Sequence, residues 1–275
     1  MCYFIILVQM LVRNVFVLSA TFSFIKLGYF KAPKVVKPIK TAIVAAIFSQ
    51  EHSEANVSIY ASALGFISGI GFIIGCNSTW VSGFGFFLGF VALFHTCEYI
   101  STSTFKKDAS LKCNPRLILA FLLNHSQAYH FAILAGAFEY VIELWLFPSI
   151  KKMGIVNYFA VIVVILAQCL RTLAMCTCAS NFSHLIQYRK EQDHVLVTHG
   201  VYAIFRHPSY TGFFYWGVAL QIMLFNPVCA VAYAYALHSF FSTRIPEEEE
   251  TLVGFFGQDY INYSKTSSIF IPFIN

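Results

Sequence analysis

Residues 200–212 hold the densest group of side chains suited to chemistry. They read GVYAIFRHPSYTG, include Arg206 and His207, and lie between two very apolar regions. Polar side chains are costly at such a place unless they bind a ligand or take part in a reaction. A second cluster, Arg244 with the glutamates 247–250, follows the next apolar run. We expect the two clusters to flank an active site at a membrane surface.

The first cluster has the local chemistry of an anion site. Gly200 permits a tight turn, and Pro208 favours an extended His207 and can begin a helix at its first position. The amides of that helix N-terminus would lie near Arg206, an arrangement that suits a carboxylate. Upstream, residues 195–197 are β-prone, so an extended backbone there could bond a ligand.

The second cluster leaves two local structures open. Arg244 and Glu248 are four residues apart, so they would share a face of one continuous helix. Pro246 lies between them and could instead begin a new helix, leaving Arg244 just before it. Arg244 is either a substrate-binding cation or an interfacial arginine whose stem lies along the bilayer. The other glutamates fit a solvated acidic helix start.

The motifs of several common enzyme classes are absent from the sequence. It contains no Ser-His-Asp elbow, HExxH, P-loop or GxGxxG pattern. The cysteines form no CxxC pair or zinc-type spacing, and Cys176 and Cys178 fit reduced helix residues better than a metal site. No metal is therefore expected. No basic face with stacking motifs indicates nucleic acid.

The composition is that of an integral membrane protein. Of 275 residues, 58% are hydrophobic and 11% are charged, whereas a soluble domain carries about 25% charged residues. The mean hydropathy is +0.67. We expect an all-α polytopic fold of seven helices, or eight if the weak segment 35–49 also crosses, because about 20 apolar residues span a bilayer. The predicted spans are residues 3–28, 57–76, 80–100, 128–147, 155–177, 212–225 and 228–242.

The last two spans form a hairpin at Asn226-Pro227, and basic loops set the orientation. Residues 101–127, 178–211 and 243–275 are polar and share one side, which we place in the cytosol. The tail 243–275 is amphipathic and is expected to lie on the membrane surface. The predicted division is an N-terminal part, 1–56, with transmembrane segments and a connector, and a membrane core, 57–275. Within that core, residues 178–275 are expected to form the site.

Three ionisable residues lie inside predicted spans. Glu139 and Glu143 share one helix face, and Arg171 lies on the next, antiparallel helix. A structural ion pair between these helices is the first interpretation. A substrate or proton path is the second, since charges within membranes often mark function.

Residues 187–271 resemble the isoprenylcysteine carboxyl methyltransferases. The likeness is carried by HVLVTHGVYAIFRHPSYTGFFYWG, NPVCAVAYAYALHSFF, the R-x-x-EEE pattern and FFGQDYINY, with FLLNHS at 121–126 and NFSHLIQ at 181–187 upstream. The RHPxYxG pattern and trailing glutamates are shared with phospholipid methyltransferases and sterol reductases. HVLVTHGVY and FLLNHS narrow the likeness to the prenylcysteine enzymes.

The resemblance implies eight transmembrane helices and a cytosolic pocket for S-adenosylmethionine. It implies methyl transfer to the C-terminal carboxylate of a farnesylated or geranylgeranylated cysteine on processed CaaX proteins such as small GTPases. It also implies a multi-pass protein of the endoplasmic reticulum membrane whose active site faces the cytosol. Arg244 is implied as the contact of the substrate carboxylate. The implied cofactor contacts are Gln187, His194, Val195, Leu196, Val197, Tyr202, His207, Pro208, Ser209, Tyr210 and Glu248.

The sequence departs from this family at Pro246, where an acidic residue is usual. A carboxylate nucleophile is already ionised at neutral pH, since an α-carboxyl has a pKa of about 3.5. His207 is therefore interpreted as shaping the pocket, not as a base. Alternative functions are a phospholipid N-methyltransferase or a sterol reductase of the wider group. A transporter or receptor built around the three intramembrane charges is a further alternative.

Overall fold

A computed structural model describes residues 54–77, 79–105 and 126–274, and in these ranges the regular structure is helical apart from one isolated β-bridge. The predicted span 3–28, the weak segment 35–49 and most of the FLLNHS motif lie outside the described residues. The described residues fall into two compact units. The first contains α1 and most of α2, and the second contains residues 79–83 and 128–274.

The first unit shows a close approach of two glycine-rich helices, α1 (Glu54–Cys76) and α2 (Ser82–Phe105). A Cβ added to Gly71 would lie 2.6 Å from the backbone nitrogen of Gly89. Ser68 donates its hydroxyl to the Gly89 carbonyl at 3.2 Å. Glycine is required here because two backbones meet.

The second unit carries the remaining described helices. They are α3 (Gln127–Leu146), α4 (Ile155–Cys178), α5 (Pro208–Leu224), α6 (Pro227–Phe256) and α7 (Gln258–Ser264), with 3₁₀ turns at Pro148–Lys151, Ala179–Asn181 and Gly200–Ala203. The predicted helices 128–147 and 155–177 and the hairpin at Asn226-Pro227 are confirmed. Pro208 occupies the first turn of α5, where its missing N–H costs nothing.

Helix α6 runs for 30 residues with Pro246 in its interior. The alternative of a new helix at Pro246 is therefore wrong. An interior proline costs about 3 kcal/mol. Packing on the preceding turns offsets this cost, because Phe241 and Ile245 are both buried in a hydrophobic cluster.

The chain after α7 does not simply lie on a surface. Ile269, Ile271 and Ile274 are buried in the same cluster as Phe241 and Ile245. The surface location predicted for the whole tail is wrong for this part, because the apolar tail residues complete the packing of α5 and α6.

Three described helical stretches are long and apolar enough to cross a membrane. They are Val57–Cys76, Ser82–Phe105 and Ile155–Asn181. Large apolar side chains also face outward elsewhere, such as Trp145 at 82% exposure and Phe131 at 75%. Such exposure suits a lipid environment. The count of eight transmembrane helices stays a prediction.

Lys151 fastens the turn between α5 and α6. Its buried ammonium group donates to Glu143 at 2.5 Å and to the carbonyls of Leu224 and Phe225 at 3.1 and 2.9 Å. It also donates to the side chain of Asn226 at 2.9 Å. A cation at the C-terminal end of α5 is stabilised by the carbonyls that the helix leaves unpaired.

Glu139 binds the other end of that turn, where α6 begins. Its two carboxylate oxygens accept from the backbone amides of Val228 and Cys229 at 2.8 and 2.7 Å, which caps the N-terminus of α6. The expected ion pair of these glutamates with Arg171 is wrong. Glu139 and Glu143 face the α5–α6 turn, whereas Arg171 binds Ser209 at the start of α5.

Candidate active site

The loop before α5 is held by α7 and by the chain that follows it. Gly200 has a φ of +61°, which glycine tolerates without strain. Arg206 N donates to the Ser268 carbonyl at 2.8 Å, and Ser268 N donates to Ile204 O at 3.0 Å. The Tyr263 hydroxyl donates to the Tyr202 carbonyl at 2.8 Å. These bonds fix the loop backbone against a rigid support.

Arg206 ties the same loop to two more elements. Its Nη1 donates to Glu249 of α6 at 3.0 Å, and its Nη2 donates to the carbonyls of Ser264 and Ser267 at 2.7 and 3.0 Å. His207 Nε2 lies 3.1 Å from the same Glu249 carboxylate. Arg206 therefore acts in part as a structural cation.

The start of α5 is also held against α4. Arg171 donates to the hydroxyl of Ser209 at 3.0 Å and to its carbonyl at 3.2 Å. A Cβ added to Gly212 would lie 2.8 Å from the Ala167 carbonyl, so only glycine permits this helix approach. Buried contacts with α4 thus fix the position of the first turn of α5.

An open cavity lies between the loop, the start of α5 and the end of α6. Nearly all of the cofactor residues implied by the sequence line it. They are His194, Val195, Leu196, Val197, Tyr202, His207, Pro208, Ser209, Tyr210 and Glu248.

Gln187 is the implied cofactor residue that lies outside the cavity wall. Its amide nitrogen donates to the Ser183 hydroxyl at 2.7 Å and, more weakly, to the Leu185 carbonyl at 3.4 Å. In this arrangement Gln187 supports Ser183, which does line the cavity.

Several wall residues were missed by sequence reasoning. The strap formed by residues 179–199 contributes Asn181, Phe182 and Ser183, which belong to the NFSHLIQ motif and could have been found from it. Leu252 and Phe256 follow Glu248 at helical spacing on α6, so the same face supplies all three. The remaining missed residues are Cys178, Tyr260 and Tyr263, whereas Arg206, also in the wall, belongs to the anion site that the sequence predicted.

The tyrosines of the wall stay protonated. Burial raises the pKa of Tyr202, helped by a hydrogen bond with Cys178. Burial likewise raises the pKa of Tyr260. These phenols can donate hydrogen bonds to a ligand but do not act as bases near neutral pH.

Arg244 lies behind the wall, half-buried, at the edge of the cavity. Its Nε donates to the Tyr210 hydroxyl at 2.9 Å, and its Nη2 donates to the His184 carbonyl at 2.6 Å. The Tyr210 hydroxyl in turn donates to Glu248 at 2.5 Å. Arg244 and Glu248 do share one face of α6, and Tyr210 bridges them.

This arrangement can bind an anion beside a cavity whose wall is partly polar and partly apolar. Arg244 supplies a fixed positive charge, while Phe182, Leu252 and Phe256 supply apolar wall surface. His207 is bonded to Glu249 and stacked on Tyr210 with ring centroids 5.5 Å apart. Among the described residues, no group of three or more His, Cys, Asp or Glu is placed to hold a metal ion.

The similarity of this chain to known proteins includes the residues of this site. The model of the isoprenylcysteine carboxyl methyltransferase (ICMT) family matches residues 160–254. The human protein-S-isoprenylcysteine O-methyltransferase is 40% identical over 219 residues, which cover 80% of this chain and 75% of the human one. The Xenopus laevis enzyme of the same name is 40% identical over 221 residues, or 80% of this chain and 74% of that one. The chain belongs to this family.

A solved structure supports the same membership. It is that of the eukaryotic intramembrane Ras methyltransferase ICMT, which is 34% identical to this chain with a TM-score of 0.75. The match covers 97% of this chain and 98% of that one. This member of the isoprenylcysteine carboxyl methyltransferase family is therefore a multi-pass membrane methyltransferase. The family match includes the start of α5, Arg244 and Glu248.

Proposed function

We propose that this protein transfers a methyl group from S-adenosylmethionine to the C-terminal carboxylate of a prenylated cysteine, giving a methyl ester. The proposed substrates are processed CaaX proteins with a farnesyl or geranylgeranyl group, such as small GTPases. One observation carries the proposal: the guanidinium of Arg244 is bonded to Tyr210, which is itself part of the cavity wall. An anion-binding group and a small-molecule cavity therefore meet at one tyrosine.

The residues of the cavity fit S-adenosylmethionine. The wall combines apolar side chains, which suit an adenine ring, with the Glu248 carboxylate, which suits an ammonium group. The buried Nε of Arg206, a residue of the cavity wall, has no acceptor in the described part of the chain. The residues proposed to hold the cofactor are the wall residues named above, with Gln187 supporting them through Ser183.

When bound, the cofactor supplies an electrophilic methyl group on a sulfonium. Arg244 would bind the substrate carboxylate through charge-assisted hydrogen bonds and leave one oxygen free to attack. No residue needs to remove a proton, because the carboxylate is already ionised at neutral pH. The task of this chain is to hold two reactants in line and to exclude water, and such positioning accounts for a large part of many rate enhancements.

The prenyl chain must stay out of water while its carboxylate reaches Arg244. We propose that it enters sideways from the lipid, with the α5–α6 hairpin as one wall and α3 or α4 as the other. Apolar side chains of α6 such as Val231 and Tyr235 are exposed at 72% and 76%, as expected next to lipid or a lipid substrate.

The remaining features are proposals on the same basis. The protein is placed in the endoplasmic reticulum membrane with about eight transmembrane helices. The cavity faces the cytosol, because the basic segments 101–127, 178–211 and the tail share that side.

The decisive experiment uses the purified chain in lipid nanodiscs with S-adenosylmethionine labelled on its methyl group. The expected result is label transfer to N-acetyl-farnesylcysteine as a base-labile ester, and almost none to N-acetylcysteine without a prenyl chain. Label transfer to a phosphatidylethanolamine at an equal rate would instead favour a lipid N-methyltransferase. NADPH-dependent reduction of a sterol without any methyl transfer would favour a reductase.

A further inference from the structure

Tyr210 stands between the cavity and the guanidinium of Arg244. Its hydroxyl accepts from Arg244 Nε at 2.9 Å and donates to Glu248 Oε2 at 2.5 Å. Tyr210 and Glu248 line the cavity, and Arg244 does not. Any change that the cavity's ligand makes at Glu248 can therefore reach Arg244 through one oxygen atom.

The ring of Tyr210 is held by two aromatic neighbours. It stacks on His207 with centroids 5.5 Å apart and planes 2° from parallel, and on Phe241 at 5.0 Å and 30°. The guanidinium of Arg244 also lies 5.5 Å from the centre of this ring. The position of the hydroxyl is thus determined by packing, so it can serve as a reference point for the arginine.

Arg244 has little else to hold it. Its Nη2 donates to the His184 carbonyl at 2.6 Å, and among the described residues nothing accepts from Nη1. The guanidinium also lies 5.6 Å from the Phe240 ring centre. Without the bond to Tyr210, the planar group would be anchored by hydrogen bonding at one end only. The guanidinium could then rotate. Its open edge, the side that carries Nη1, would lose a defined direction.

We propose, resting on the function above, that Tyr210 is a positioning residue. Its hydroxyl orients the open edge of Arg244 toward the substrate carboxylate, and it makes carboxylate affinity depend on whether the cavity is filled. A ligand that engages Glu248 changes the hydrogen bond this carboxylate accepts from Tyr210, and hence the one Tyr210 accepts from Arg244. The coupling is reciprocal, as any coupling between two binding equilibria must be.

The test variant is Tyr210→Phe, which keeps both ring stacks and removes one oxygen. Equilibrium binding would be measured on the full chain in nanodiscs with saturating S-adenosylhomocysteine. The two probes are N-acetyl-farnesylcysteine and its C-terminal carboxamide, which lacks the negative charge. We expect the wild type to prefer the acid by at least about tenfold, and the variant to lose most of that preference while carboxamide affinity changes by less than about twofold.

Three comparisons separate positioning from a structural effect. Tyr215→Phe removes a hydroxyl from the same helix, where it donates to the Phe270 carbonyl at 3.0 Å, and should leave the acid-to-amide ratio unchanged. In an Arg244→Ala background, Tyr210→Phe should no longer alter the ratio, because the two residues act as a unit. Adding S-adenosylhomocysteine should change acid affinity in the wild type and have no effect on it in Tyr210→Phe.

The outcomes are distinct. Equal weakening of acid and amide binding in Tyr210→Phe would show a merely structural role and overturn the inference. The inference would also be overturned if the wild type is active and Tyr210→Phe keeps the wild-type ratio of acid to amide affinity. A wild type that transfers no methyl group to the prenylcysteine would overturn the proposed function itself, and this inference with it.

Discussion

Arg206 and Glu249, 43 residues apart in the chain, form an ion pair at 3.0 Å that joins the loop before α5 to α6. The same carboxylate is bonded to His207. Burial by itself raises the pKa of Glu249, but the hydrogen bonds with His207 and Arg206 outweigh it, so the pKa lies below its usual value. Glu249 is therefore an anion at neutral pH and holds two residues of the cavity wall.

Replacing Glu249 by Gln should change how stability depends on pH. A carboxyl whose folded pKa is depressed adds stability above its unfolded pKa of about 4.3, and this stability is lost as the pH falls through the folded value. The wild type should therefore lose stability below about pH 5 more steeply than Glu249→Gln. At pH 7 the variant should be less stable by about 1–2 kcal/mol. Unfolding midpoints in detergent at pH 7 and pH 4 test this.

Glu250 provides the control, because its side chain is exposed on the same helix. Glu250→Gln should follow the wild type at both pH values. An identical pH response of Glu249→Gln and Glu250→Gln would contradict the role given to Glu249.

Arg244→Ala should abolish methyl transfer while cofactor binding persists. Removing one partner of a buried charged contact commonly costs about 2–5 kcal/mol, so we expect at least about a 100-fold loss of kcat/KM for prenylcysteine. Arg244→Lys should remain well below the wild type, because an ammonium cannot reproduce the planar fork. Label transfer measures activity, and calorimetry with S-adenosylhomocysteine measures binding.

The exposed Arg189 on the strap is the matched control, and Arg189→Ala should retain activity. Full activity of Arg244→Ala would remove Arg244 from the substrate site.

Gly212→Ala should loosen the approach of α4 and α5. The added Cβ would lie 2.8 Å from the Ala167 carbonyl and 3.0 Å from the Arg171 backbone nitrogen. Overpacking of this kind costs about 1–3 kcal/mol, and it should also weaken cofactor binding by moving Ser209. Thermal unfolding and a cofactor titration measure the two effects.

The control is Gly254→Ala in α6, where an added Cβ meets nothing within 4 Å. That change should be neutral or slightly stabilising, because alanine is the better helix former. Equal stability of the two variants would show that α4 and α5 can separate without cost.

Lys151→Met should weaken the α5–α6 hairpin strongly. It removes the cation from the Glu143 carboxylate and from the carbonyls at the end of α5. Breaking a buried pair by deleting one partner costs about 3–5 kcal/mol. Lys152 is exposed next to it, so Lys152→Met should change little. Resistance to proteolysis and unfolding midpoints would report the difference, and similar values for both variants would contradict this account.

Local features of the chain could be predicted from sequence because they depend on nearby residues. Pro208 begins α5, and Asn226-Pro227 separates two helices, as turn and cap chemistry require. The motif resemblance also selected residues that the structure brings to one cavity wall, although their role as cofactor contacts remains a prediction. Gln187 shows the limit of that reasoning, since its side chain reaches Ser183 instead of the cavity.

Partners across long sequence separations could not be predicted. Lys151 bonds to Asn226, 75 residues away, and Glu139 bonds to Val228, 89 residues away. The sequence had instead predicted an ion pair between Glu139 and Arg171. The choice depends on how each helix is rotated about its axis, and a helix with apolar residues on all sides gives no amphipathic pattern to set that rotation. Pro246 stays inside α6 for a similar reason, because the packing of Phe241 and Ile245 outweighs a local preference.

The sequence by itself determined the membrane character, the family and the two polar clusters around residues 200–212 and 244–250, since these rest on composition and short motifs. Only the tertiary structure decided that Tyr210 joins the clusters by bonding both Arg244 and Glu248. The physical reason is that a hydrogen bond requires a fit of tenths of an ångström between side chains on different helices. That fit is set by the packing of α5 on α6 and on the buried tail.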